Sequence, residues 1–312
     1  MLIATNNQIY ELVEGHEAAP PALQFSCAEQ ITGMEEGWQV SAVAAGDEIA
    51  LLEGRQPRWL AAGIAEPIES LLLVEEEPLR LLVGTEGPHL YLLADEGRPA
   101  CRLESFAELE CRHKWHTPWG GPAAVRSLAR RGAWLYADIH VGSIMRSPDR
   151  GFSWEPVQPG LHEDVHQVVT SAVLEERVYA NTADAVYISE DRGHSWAHRD
   201  QGLATHYGRA IAVHPRDPDC LLASFSRGPG QRVEGRLYRS EDAGRTWTQV
   251  RGGFPETTRE NIDTFQVTFS AGGTAWAAVE DTLYRSADRG ASWEAVWKAP
   301  GPIALLSCAC AD

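Results

Sequence analysis

Short runs in which apolar and polar residues alternate recur along this chain, separated by turn-forming residues. Leu237-Tyr238-Arg239 and Leu283-Tyr284-Arg285 are typical, and Ile144-Met145-Arg146 and Val186-Tyr187-Ile188 follow the same pattern. Period-two alternation over so few residues predicts half-buried strands rather than helices. Each run is followed by a turn and a second strand-like segment, at Trp154 to Val157, Trp196 to Arg199, Trp247 to Val250 and Trp293 to Val296. Strand, turn, strand predicts a hairpin each time. No apolar run reaches the ~18 residues that would cross a bilayer.

The turns are near-copies of one octapeptide, S-x-D-x-G-x-[S/T]-W, beginning at Ser147, Ser189, Ser240 and Ser286. Their spacings are 42, 51 and 46 residues (189−147, 240−189, 286−240). A recurrence of this length signals a repeat architecture. In each turn the Asp carboxylate accepts backbone N–H groups and the Gly supplies a positive φ. The Trp brings a large apolar face suited to packing between sheets. The preceding strand pattern also occurs without a good box, at Ile9-Tyr10-Glu11-Leu12, Ile49-Ala50-Leu51-Leu52 and Leu90-Tyr91-Leu92-Leu93, the last running into a degenerate Ala94-Asp95-Glu96-Gly97. Starts at 9, 49, 90, 144, 186, 237 and 283 therefore mark seven units in 312 residues.

About 45 residues per unit is the size of a four-stranded propeller blade. The expected fold is all-β: one domain over residues 1–312, a seven-bladed β-propeller of four-stranded antiparallel blades with these runs as third strands. Met1-Leu2-Ile3-Ala4-Thr5 has the character of a second strand, and Pro302 to Ser307 that of a first strand. The C-terminal strand is thus expected to complete the N-terminal blade and close the ring, removing two exposed edges. Loss of the last ten residues should damage the whole fold.

The four octapeptides resemble the Asp-box (BNR) repeat of sialidase-like β-propellers and their non-enzymatic relatives. The resemblance covers most of the chain. It implies that the boxes join third to fourth strands away from the active face, so Asp149, Asp191, Asp242 and Asp288 are implied to be structural. Sialic-acid-cleaving members carry an Arg-Ile-Pro segment, three substrate arginines, a Tyr–Glu nucleophile pair and an Asp acid/base, and they have six blades. No Arg-Ile-Pro occurs here and seven units are counted, which places the resemblance on the non-sialidase branch. The seven-unit count is also similar to photosystem II assembly factor-type propellers, although those use a basic patch and are exported.

Charge changes the picture of partners. The 27 basic and 44 acidic residues give −17, and the acids crowd into residues 1–112, with 20 acids against 6 bases. A negative arc over the first three units argues against nucleic acid or an anionic membrane as a partner. The six Cys show no metal-knuckle spacing, and Cys308-Ala309-Cys310 fits buried strand residues better than a soft-metal site. Without an evident export signal the chain is expected to be soluble and cytoplasmic, its thiols reduced, with a monomer as the default.

Candidate chemistry collects on segments that repeat symmetry brings to one channel mouth: His113 to Arg126, Asp138 to Gly142, His162 to His166, Thr205 to Arg209, Arg227 to Glu234 and Arg259 to Asp263. Loops on a rigid scaffold are the usual place for function. Aligned inner strands put Glu69, Arg126, His166 and Arg209 at corresponding positions. Three readings follow. In the first, a small molecule or partner protein is held at the mouth by Trp115, Trp119, Tyr207 and Asp263, with Arg126 and Arg209 for carboxylate or phosphate. In the second, His140, His166 and His206, with Asp164 nearby, bind Zn²⁺ or a similar divalent ion in a hydrolase or lyase. The same histidines could also move protons without a metal. The third is glycoside hydrolysis by paired carboxylates, drawn from Glu163, Asp164, Glu234 and Asp263. Against all of these stands a plain structural role, since His at strand starts often only bonds a neighbouring carbonyl.

Overall fold

The computed structural model describes residues 1–13, 15, 19–54, 56–94, 97–157, 159–230 and 232–309. Seven four-stranded antiparallel sheets form the blades of a ring. The third strands are Gln8–Glu11, Glu48–Leu52, Leu90–Ala94, Ser143–Ser147, Ala185–Ser189, Arg236–Ser240 and Thr282–Ser286, where the alternation predicts them. Strands Ile31–Glu36, Ile68–Glu76, Val125–Arg131, Val165–Thr170, Tyr207–His214, Val267–Phe269 and Leu305–Ser307 lie side by side around the central channel. Blades are numbered here from the one that contains residue 2. In blade 1 the strand Leu2–Ala4 pairs on one side with Gln8–Glu11 and on the other with Leu305–Ser307. The register Leu2↔Ser307, Ile3↔Leu306, Ala4↔Leu305 closes the ring.

The repeated octapeptide folds the same way each time. In the second copy, Asp191 Oδ1 accepts from Ser189 Oγ and from Ser195 N, both at 2.8 Å, while Oδ2 accepts from Ser195 Oγ at 2.7 Å. Ser189 Oγ in turn accepts from Gly193 N at 2.7 Å. Asp149, Asp242 and Asp288 repeat this pattern. Two successive residues are left-handed in every box. At the fourth copy these are Arg289 (φ 60°) and Gly290 (φ 85°), and a Cβ on Gly290 would lie 2.6 Å from Leu222 Cδ2 of the preceding blade. The sequence pattern announces the glycine but not the left-handed residue before it, because Arg, Arg, Ala and Arg occupy that place.

The box tryptophans pack at blade boundaries. Trp154, Trp247 and Trp293 are buried, meeting Phe106, Phe225 and Phe254 at 5.2, 5.9 and 5.3 Å between ring centres. Trp247 Nε1 donates to Arg199 O of the preceding blade at 3.2 Å. Apolar clusters fill each boundary. One example joins Ile49, Leu51 and Ile64 to Leu71, Leu81 and Leu93, and another joins Ile3 and Tyr10 to Trp276 and Leu283 across the closing boundary. No helix among the described residues is long and apolar enough to cross a membrane. The segment entering the fourth blade, expected as loop, contains the helical turns Glu104–Ala107 and Glu110–Lys114. The degenerate box residues Asp95 and Glu96, and Cys310, lie outside the described residues.

Candidate functional site

Five inner strands open with an irregularity of register. It falls between Ile31 and Gly33, Ile68 and Ser70, Val125 and Leu128, Val165 and Gln167, and Gly208 and Ile211. The residues inside these bulges include Thr32, Glu69, Arg126, His166 and Arg209. A bulge turns a side chain out of strict alternation, which is how sheets re-aim functional groups. Four of these positions are the ones that aligned in the sequence, and the bulge is the physical reason they share a place in each blade.

Buried polar side chains hold the bulges open. Asp138, fully buried, accepts from Ser127 N at 3.1 Å and Ser127 Oγ at 2.7 Å. Burial pushes its carboxyl up to about 7, and the Ser127 bonds and the Arg126 charge work against that rise. In the sixth blade Ser224 Oγ accepts from Ala210 N and donates to Ile262 O. Gly208 must be glycine, since a Cβ there would lie 1.9 Å from Asn181 Oδ1. Its carbonyl accepts the Nδ1 proton of His166 at 2.5 Å.

That bond fixes the imidazole: with Nδ1–H donated, Nε2 of neutral His166 carries a lone pair. The lone pair faces Asp164 Oδ1 at 3.3 Å. The distance is that of an ion pair, yet neither buried atom makes a hydrogen bond. His140 completes a compact group, with the three donor atoms of His140, Asp164 and His166 all within 4.8 Å of one another. His140 Nε2 lies 3.8 Å from Asp164 Oδ1 and 3.0 Å from Arg126 Nη2, so it accepts from the guanidinium. The other guanidinium nitrogen, Arg126 Nη1, is buried without a partner.

Trp119, 70% exposed, covers the outer side of His140 with ring centres 4.9 Å apart. Tyr207 packs edge-on to His166 at 4.9 Å. Arg209 is bound by Asp263 through two bonds of 2.8 and 2.9 Å. Burial holds both imidazoles below their ordinary range. At His140 the Arg126 charge adds to it; at His166 Asp164 opposes it. Asp263 is held low despite burial, by the charge and the bonds of Arg209. Glu69 is raised, first by burial and then by Glu86, with Arg126 opposing.

Other expected site residues lie elsewhere. His206, expected as the third imidazole of a metal set, points to Asp184 Oδ1 at 3.6 Å with a side chain 44% exposed, and it is not in the three-donor group. Trp115 is half-buried, stacked under Arg112 at 4.7 Å and beside Phe106 at 5.5 Å, so it braces the loop that carries Trp119. Glu234 is engaged by Arg236 at 2.9 Å. Glu163 contributes its carbonyl, which accepts from Gly142 N and Ser143 N.

A cavity of about 530 Å³ fills the channel toward the end away from this group. Leu72, Leu128, Val168, Ile211 and Leu306 wall it, and Glu35 and Arg130 face into it. Burial pushes Glu35 up to about 8, opposed by Arg130. Sequence reasoning overlooked this pair. The available signal was a pair of like charges closing an inner strand, Glu35-Glu36 in one and Arg130-Arg131 in the other.

Comparisons with known proteins agree on the ring. The family described as Sortilin, neurotensin receptor 3 (Sortilin-Vps10) matches residues 142–258, less than half of the chain. No curated protein sequence matches. Among solved structures, the chain is similar to an ancestral GH74 enzyme at 16% identity and TM-score 0.68, with 95% of this chain and 40% of that one covered. The GH74 xyloglucanase of Xanthomonas campestris gives 16% identity and TM-score 0.68, covering 95% of this chain and 52% of that chain. The protein titled YCF48 bound to D1 peptide gives 15% identity and TM-score 0.51, covering 73% and 66%. The chain therefore spans about half the length, or less, of the two GH74 structures. At these identities the likeness establishes the β-propeller fold and nothing about activity.

Proposed function

We propose that the protein is a binding module that holds a carboxylate-bearing ligand at the mouth formed by blades 4 to 7. The observation that carries this reading is Arg126. It projects from a bulge, donates one nitrogen to His140, on whose ring the exposed indole of Trp119 packs, and keeps Nη1 buried and unpartnered. A buried guanidinium with an unused donor is costly unless something accepts from it, and carboxylate is its best geometric match. Trp119 supplies an apolar face for the body of the ligand. The motif geometry supports reading the four clips as Asp-boxes, on the far side of the blades from this mouth. A neighbour in fold, YCF48, is titled as bound to a peptide, which makes a polypeptide carboxylate a reasonable form for the ligand.

The paired-carboxylate reading is weaker on physical grounds. Asp263 is committed to Arg209, Glu234 to Arg236, and Asp164 is set against two imidazoles. A general acid for glycoside cleavage needs a carboxyl raised toward neutrality.

The test is a melting-shift and calorimetric screen of small mono- and dicarboxylates and of acidic peptides, run in chelator on the wild type, Arg126→Gln and Trp119→Ala. Losing a charged hydrogen bond of roughly 1.5–3 kcal/mol should weaken the best ligand at least ~10-fold in Arg126→Gln. Equal affinity in both variants would defeat the proposal.

A further inference from the structure

We propose that His140, Asp164 and His166 form a binding site for one divalent transition ion, with zinc the best match to the donor set. The group stands on geometry. Asp164 Oδ1 lies 3.3 Å from His166 Nε2 and 3.8 Å from His140 Nε2, and all three donors fall within 4.8 Å. Zinc bonds of about 2.0–2.2 Å in a tetrahedron put neighbouring ligand atoms roughly 3.4 Å apart. The His166–Asp164 edge meets that spacing and the His140–Asp164 edge is within a few tenths of it.

The second argument is chemical. The Nδ1–H of His166 is spent on the Gly208 carbonyl, the arrangement in which a backbone carbonyl orients a metal-binding imidazole. The lone pair left on Nε2 meets a carboxylate oxygen, and both atoms are buried without a hydrogen bond. Two acceptors facing each other in a buried setting repel unless a cation lies between them. A divalent ion resolves the conflict at both atoms, and His140 supplies the third ligand. The Asp164 side chain, 18% exposed, leaves a way in from the mouth. Three protein ligands leave a fourth position for water or for an incoming oxygen donor.

Arg126 makes the inference specific. It now occupies the His140 lone pair at 3.0 Å, so an ion must displace it, and its positive charge opposes that ion. Metal and guanidinium therefore compete for His140. Removing the guanidinium should tighten the ion severalfold while weakening a carboxylate ligand. Because the ion is measured without any organic ligand, its failure and the failure of the binding reading are separate results.

Full-length protein should be stripped with chelator, then titrated calorimetrically with zinc chloride and, in parallel, followed by visible absorption with cobalt(II). The expected result is one equivalent per chain, with the intense cobalt bands of a four-coordinate site, and zinc displacing the cobalt. Asp164→Asn and His166→Gln should weaken zinc by ~100-fold or more, His206→Ala should leave it unchanged, and Arg126→Gln should tighten it. The cobalt spectrum of the unmutated chain decides the matter even if a variant does not fold. No stoichiometric ion on the wild type, six-coordinate cobalt bands, or full binding in folded Asp164→Asn and His166→Gln would each overturn the site.

Discussion

Single residues here are set by what they accept and donate. The box aspartates illustrate it. At Asp288 the bonds from Ser292 Oγ and N hold the carboxyl down to about 2 against an ordinary value of 3.8, and they outweigh a small effect of burial. A depressed carboxyl contributes stability fully above its unfolded value and loses it as pH falls through the folded one. The Asp288 clip should therefore loosen as pH falls from about 3.8 toward 2, visible as a falling urea midpoint in that window. A flat midpoint there would refute it. Removing one carboxylate acts at any pH. Asp191→Ala leaves Ser195 N and two hydroxyls without this acceptor and should cost about 0.5–1.5 kcal/mol by denaturant unfolding. That these aspartates accept bonds within the turn was legible from the residues of the octapeptide, because a turn is local. The contact between His166 and Asp164 was legible only as proximity. Its meaning depends on Gly208, 42 residues away on the next blade, and no local pattern announces which nitrogen that carbonyl claims.

Elements carry the next layer. The alternation of apolar and polar residues located every third strand, since a half-buried strand must alternate. It did not locate the bulges, which break alternation by one residue at the start of five inner strands. What betrays them is a charged or aromatic-ring residue (Glu69, Arg126, His166, Arg209) standing where an apolar one is due. The support for one bulge is testable. Asp138→Asn keeps shape but replaces an acceptor of two Ser127 bonds with an amide that accepts through one oxygen only. Arg126 should lose its aim, so carboxylate affinity should fall severalfold in calorimetry while the melting temperature drops by only a few degrees. A variant that melts lower and binds as before would show that the bulge does not position Arg126. The placement of His206 has the same origin. Repeat symmetry brought its loop to the mouth, but Asp184 draws its ring aside.

At the scale of the whole molecule the ring is held by its boundaries, and the closing boundary is made from both termini. Deleting residues 305–312 removes the partner of Leu2–Ala4 and uncovers Ile3, Trp276 and Leu283. That truncation should abolish cooperative unfolding or lower the melting temperature by ten degrees or more, with soluble yield falling as a free edge invites association. Retained two-state melting would refute it. The count of seven units and the closure were readable from the sequence because each blade repeats its strand pattern. The channel cavity with Glu35 and Arg130 was not, since it belongs to no single repeat.

The pairing of residues 2–4 with 305–307 also has a consequence in time. On the ribosome the hairpin of residues 2–11 emerges before the other strands of the ring, and the strand that must lie beside it, 305–307, is translated after them. Six blades can stack as they appear, each on its predecessor, but the circle stays unlatched until residues 305–307 emerge. The nascent ring therefore carries an open hydrogen-bonding edge from the emergence of residues 2–4 to that of residues 305–307, and its vulnerability to chaperone capture or misassembly is written into the order of its strands.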